Sequence, residues 1–89
     1  MTDLEFRDWL EGDVLSGRMT PQQRDDLLEQ KRHFDADRIE IERQFPHRVV
    51  GYVNGLRKVS NSVQELLAQA QRSYPSRMVY FEPIGFDLY

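Results

Sequence analysis

The chain has no cysteine. This excludes disulfides, thiolate zinc sites and cysteine nucleophiles, and it suits a reducing, cytoplasmic setting. Long apolar runs are missing too, and nothing approaches the roughly 18 consecutive residues of a membrane-spanning helix. Glycine is scattered (Gly12, Gly17, Gly51, Gly55 and Gly85), with no phosphate-cradling loop or dinucleotide fingerprint. No serine sits in a Gly-x-Ser-x-Gly elbow. His33 lies in a charged segment and His47 beside Pro46, and no spacing pairs either with a hydroxyl nucleophile. Glu29, His33 and Asp37 fall four apart on one helical face, an imidazole between two carboxylates. Zinc sites take three or four ligands, and di-iron sites repeat Glu-x-x-His over several helices, so a solvated charged face is expected here. The chain is therefore expected to be non-catalytic, with no cofactor and no metal. Its acidic start, MTDLEFRDWLEGD, is unlike a secretion signal or a transit peptide.

What is present is charge and a readable pattern. The 89 residues are 30% charged and 39% hydrophobic, which predicts one small soluble domain or a small domain with a helical appendage. The net charge of −3 is uneven. Residues 1–20 hold five acids and two bases, and residues 21–45 hold seven acids and five bases. Residues 46–76 hold one acid, Glu65, against Arg48, Arg57, Lys58 and Arg72. Four bases are few beside the roughly 6–10 phosphate contacts of a strong nucleic-acid binder.

Phe6, Trp9, Leu10, Val14 and Leu15 recur with helical spacing, and Gly17 is placed to end that helix. Thr20-Pro21-Gln22-Gln23 is a capping box with proline at the first helical position. It predicts a second helix running to about Gln44, where Pro46 stops it. Leu27, Phe34 and Ile41 lie seven apart on this rod, and 12 of the 20 residues 24–43 are charged. So narrow a stripe predicts a helical hairpin or a two-helix pairing rather than deep burial.

Beyond Pro46 the period changes. Arg48 to Val53 reads as a strand, Asn54-Gly55 as a type I′ turn, and Leu56 to Ser60 as the returning strand. That turn pairs Val53 with Leu56 and Val50 with Val59, and it leaves both faces partly apolar, so each needs a cover. Ser62-Val63-Gln64-Glu65 starts a third helix that Pro75 ends, and Arg77 to Glu82 forms a third strand. A right-handed crossover sets the third strand beside the first, in order 2-1-3. The expected fold is α+β: an N-terminal helical hairpin (residues 1–45) followed by a ββαβ module (residues 46–89) with a three-stranded antiparallel sheet and an apolar C-terminal tail, packed as one unit.

The stretch RVVGYVNGLRKVSNSVQELLAQAQRSYPSRMVYFEPI, residues 48–84, resembles a small uncharacterised prokaryotic ββαβ family. The matching features are a strand ending in an Asn/Asp-Gly turn, a short return strand, a Ser-x-x-Glu-Leu-Leu helix and a β-rich final strand. The resemblance implies that fold and no established enzyme activity. Some members of the family look like partner proteins of toxin–antitoxin pairs.

The apolar surplus points the same way. A domain this small has difficulty burying both the first helix face and the aromatic residues of its last dozen positions, so either the tail folds over the N-terminal helices and completes the core or it forms a protein–protein surface. Tyr, Trp and Phe are the side chains that protein interfaces favour. The expected function is a small protein-interaction or regulatory module, antitoxin-like, that binds a partner protein and itself as a homodimer. Trp9, Phe34, Phe86 and Tyr89 are the expected anchors, and the acidic helical half is expected to meet a basic partner. The alternative is nucleic-acid binding by a basic β-hairpin in a dimer, with Arg48, Arg57, Lys58 and Arg72 on phosphate. No membrane contact is expected.

Overall fold

Two tight turns and one buried heptad set the architecture, and the computed structural model describes it for residues 3–85. The elements run α1 (Asp3–Leu15), α2 (Pro21–Ala36), α3 (Arg38–Gln44), β1 (Val49–Val53), β2 (Leu56–Ser60), α4 (Val63–Ser73) and β3 (Val79–Pro83). The fold is α+β, with a three-stranded antiparallel sheet in the order β2-β1-β3.

Local chemistry starts and stops each element. Gly17, at φ +80°, lets the Arg18 and Met19 N–H groups turn back onto the Asp13 carbonyl, closing α1. Thr20 Oγ1 accepts from the Gln23 N–H and Gln23 Oε1 accepts from the Thr20 N–H, the complete capping box of α2. Asn54 (φ 52°) and Gly55 (φ 74°) both take the left-handed conformation that a type I′ turn requires. The register that follows pairs Val53 with Leu56, Gly51 with Lys58 and Val50 with Val59, as the turn predicts. Ser62 Oγ accepts from the Glu65 N–H at the start of α4.

The sheet is covered on both sides. Val50, Tyr52 and Ile84 meet Phe34 of α2 and Ile41 of α3 on one side. On the other, Gly51 is so close to α4 that an added Cβ would lie 3.1 Å from Leu66 Cδ2. A smaller cluster of Phe6, Leu10 and Leu27 holds α1 against α2 and reaches Met78 and Tyr80 at β3.

Four expectations change. The long helix is broken at Asp37 (φ −104°, ψ 8°), so α2 and α3 are separate segments. Aspartate is a poor interior helix residue because its carboxylate finds partners elsewhere; here these are Tyr52 Oη and Arg57. The heptad Leu27–Phe34–Ile41 is deeply buried rather than a shallow hairpin seam, with Phe34 and Ile41 fully enclosed. The first strand starts at Val49, because Arg48 lies in the bend that leaves Pro46. The third strand starts at Val79 rather than Arg77, because Asp26 takes both the Arg77 guanidinium and the Met78 N–H.

Candidate protein-interaction surface

Helix α1 packs through one edge alone. Phe6 and Leu10 are buried, while Trp9 is 53% exposed on the flank of the same helix. The Trp9 ring lies 6.1 Å from Phe6. Phe6 meets Tyr80 of β3 edge-on at 5.8 Å, Tyr80 meets Phe34 at 5.5 Å, and Phe34 meets Tyr52 of β1 at 6.2 Å. Such tilted and edge-on contacts are the favoured aromatic geometries. Trp9 is thus the solvent end of an aromatic series that runs into the core.

Strand β3 beside it lies at an edge of the sheet. Ile84 donates its N–H to the Arg48 carbonyl at 2.8 Å, and with the β1–β3 register this turns residues 80, 82 and 84 toward β1. Val79 and Phe81 then direct their N–H and carbonyl groups away from the sheet, and Pro83 has no N–H to offer. An edge of this kind accepts an added strand.

Three polar clusters tie the helices to the sheet. Asp26 receives a two-pronged hydrogen bond from Arg77 (2.8 and 2.9 Å), another from the Met78 N–H (2.9 Å) and one from Gln30 Nε2 (3.0 Å). The Arg77 guanidinium is the main reason its carboxyl is held down to about 2, and the other donors add to this against the opposing effect of burial. Gln30 is itself buried and accepts from the Gly55 N–H, pinning the hairpin turn to α2. Arg38 forks onto Glu82 (3.0 and 2.7 Å) and also reaches Asp35. Burial pushes the Glu82 carboxyl up, but the bonds from Arg38 and Tyr80 outweigh it and hold the group below its ordinary range. Tyr80 is pushed above its ordinary value by burial and then by its bond to Glu82. Asp37 is lowered first by the Tyr52 hydroxyl and then by Arg57.

The expected site residues separate in space. Trp9 is exposed, and Phe34 is wholly buried and belongs to the core, so it offers no surface to a partner. Phe86 and Tyr89 lie outside the described residues. Arg57 is bound to Tyr52 Oη and Asp37 on the α2–α3 side, while Lys58, opposite Gly51, is on the α4 side. Arg48 bonds Asn61, and Arg72 is in the last turn of α4. The four bases therefore do not form one patch. His33 stacks on Tyr52 at 6.0 Å and is 4.0 Å from Glu29, while Asp37 turns to Tyr52 and Arg57. Among the described residues no group of three His, Asp or Glu side chains is arranged to hold a metal ion, and no helix is long and apolar enough to cross a membrane.

The acidic half is not a bare acidic surface. Asp26, Asp35, Asp37 and Glu40 are paired with basic side chains across the fold or along α2 and α3. Glu11, Asp13 and Asp25 are paired near the α1–α2 turn. Asp26, Gln30, Arg38 and Glu82 escape sequence reasoning, because their partners lie 25 to 52 positions away. The one legible signal is the high density of opposite charges in residues 24–43.

No family model, no curated protein and no solved structure matches this chain.

Proposed function

We propose that this chain is a small non-catalytic interaction or regulatory module, antitoxin-like and cytoplasmic, that binds a partner protein and a second copy of itself. One observation carries the reading: a half-exposed tryptophan on α1, continuous with the core through Phe6 and Tyr80, stands beside an edge strand of the sheet. Tryptophan anchored at one face and free at the other is a frequent interface hot spot. The resemblance of residues 48–84 to the ββαβ family supports the antitoxin-like part. The pairing of many of the acidic residues within the chain leaves less free negative charge for a basic partner.

The test is a tagged pull-down from native lysate, with and without nuclease, alongside sedimentation of the purified chain. The expected result is a stoichiometric protein partner that survives nuclease and is lost in Trp9→Ala, a variant that keeps the wild-type circular dichroism. Loss of all partners on nuclease treatment would instead favour nucleic-acid binding through the scattered bases.

A further inference from the structure

The acidic count of residues 1–45 hides a cationic cleft. It lies between the start of α1 and the second half of α2, is open to solvent and holds about 610 Å³. Leu4, Phe6 and Leu28 form its apolar lining, and Arg7, Lys31 and Arg32 supply its positive charge. Leu4 is 70% exposed, so this apolar surface meets water.

Among the described residues the lining includes one acid, Asp35, which is already occupied by Lys31 Nζ at 2.7 Å and by Arg38 at 2.8 Å. Arg7 and Arg32 are exposed, and neither forms an ion pair or hydrogen bond among the described residues. Two free guanidiniums beside exposed leucine, on a chain of net charge −3, are complementary to carboxylates with apolar side chains between them. Arginine favours this role because its planar fork binds a carboxylate through two hydrogen bonds.

Resting on the interaction-module reading, we infer that the α1–α2 cleft binds an acidic peptide segment of the partner protein, with its carboxylates on Arg7 and Arg32 and an apolar side chain against Leu4, Phe6 and Leu28. The partner's docking segment is then acidic and apolar, the opposite of what the charge of the first half implies. A nucleic-acid phosphate backbone would find the same two arginines but would leave the apolar lining uncovered.

The experiment uses the full chain and a fluorescein-labelled peptide of alternating aspartate and leucine, read by anisotropy. The expected result is binding that weakens about tenfold in Arg7→Glu and in Arg32→Glu, and that falls with added salt. Both arginines are exposed and have no partner among the described residues, so melting temperatures should match wild type. Arg43→Glu, the same charge reversal at an exposed position of α3 outside the cleft lining, controls for net charge and should not weaken binding. A serine–leucine peptide and an aspartate–serine peptide should each bind at least about tenfold more weakly, since each lacks half of the complement. Equal binding of either control peptide, no binding of the acidic peptide, or indifference to both arginine reversals overturns the inference. So does tighter binding of a single-stranded oligonucleotide through the same arginines. If the peptide fails while the Trp9-dependent partner remains in the pull-down, the cleft assignment falls alone. If the Trp9-dependent partner is absent as well, the module reading falls with it.

Discussion

Phe34 and Trp9 show how similar aromatic residues on neighbouring helices take opposite roles. Both lie in helical apolar patterns, yet Phe34 is fully enclosed and Trp9 is 53% exposed. The difference comes from the partner surface: Phe34 faces β1 and β3, whereas Trp9 flanks the helix beyond Phe6. Phe34→Ala should therefore cost about 3–5 kcal/mol of unfolding free energy in urea titration, through lost burial and a cavity. Trp9→Ala should change that value by less than about 1 kcal/mol, since much of its ring already meets water. Equal losses in the two variants would place Trp9 in the core and remove it from any interface. Asp26 is the polar counterpart. Nothing around it in the sequence marks it among its charged neighbours, yet it joins α2 to the segment that leads into β3 through three hydrogen bonds.

The elements owe their limits to short-range chemistry and their positions to long-range contact. Thr20, Asn54-Gly55 and Ser62 are local signals, and each acts where the sequence predicts. The break at Asp37 is different: Tyr52 and Arg57, both on the hairpin, capture its carboxylate. Gly51 is equally dependent on tertiary contact. It lies mid-strand with no positive φ, yet a Cβ there would sit 2.9 Å from the Tyr80 carbonyl oxygen and 3.0 Å from Phe81 Cβ. Because one of those neighbours is backbone, Gly51→Ala should force the β1–β3 pair to shift and cost about 1–3 kcal/mol, measured as a lower urea midpoint. An unchanged midpoint would mean that β3 moves freely over β1.

Across the whole molecule, ion pairs join the helical half to the sheet, and this gives stability a definite pH dependence. Asp26 has its carboxyl lowered from 3.8 to about 2 in the folded chain and is 12% exposed. A lowered folded value means that the stabilisation is present above the unfolded value and is lost as pH falls through the folded one. That one group accounts for about 2 kcal/mol, present above about pH 4 and gone below about pH 2. Asp35, Asp37 and Glu82 are also lowered, so they act with the same sign. Tyr52 and Tyr80 are raised above 10.0 by burial, so their neutral forms contribute stability that is lost on strong alkalinisation. Thermal melts across acid pH should show a fall in melting temperature that is smaller in Asp26→Asn, which has already lost the titrating carboxylate. An identical fall in both proteins would assign the acid sensitivity to the other carboxylates.

Apart from the break that separates α2 from α3, the element order was present in the linear pattern, as were the hairpin register, the sheet order and the α+β class. They depend on periodicity, caps and turn conformations that act within a few residues. Exposure was not legible: aromatic character pointed to Trp9 and Phe34 alike, and only the fold buries one and leaves the other half-exposed. The basic hairpin dispersed because alternation sends Arg57 and Lys58 to opposite sides of the sheet. The acidic half lost its bare charge because its carboxylates found cations, two of them, Arg57 and Arg77, far along the chain. Local backbone preferences are written in neighbouring residues, whereas free surface and free charge are what remain after distant side chains have paired.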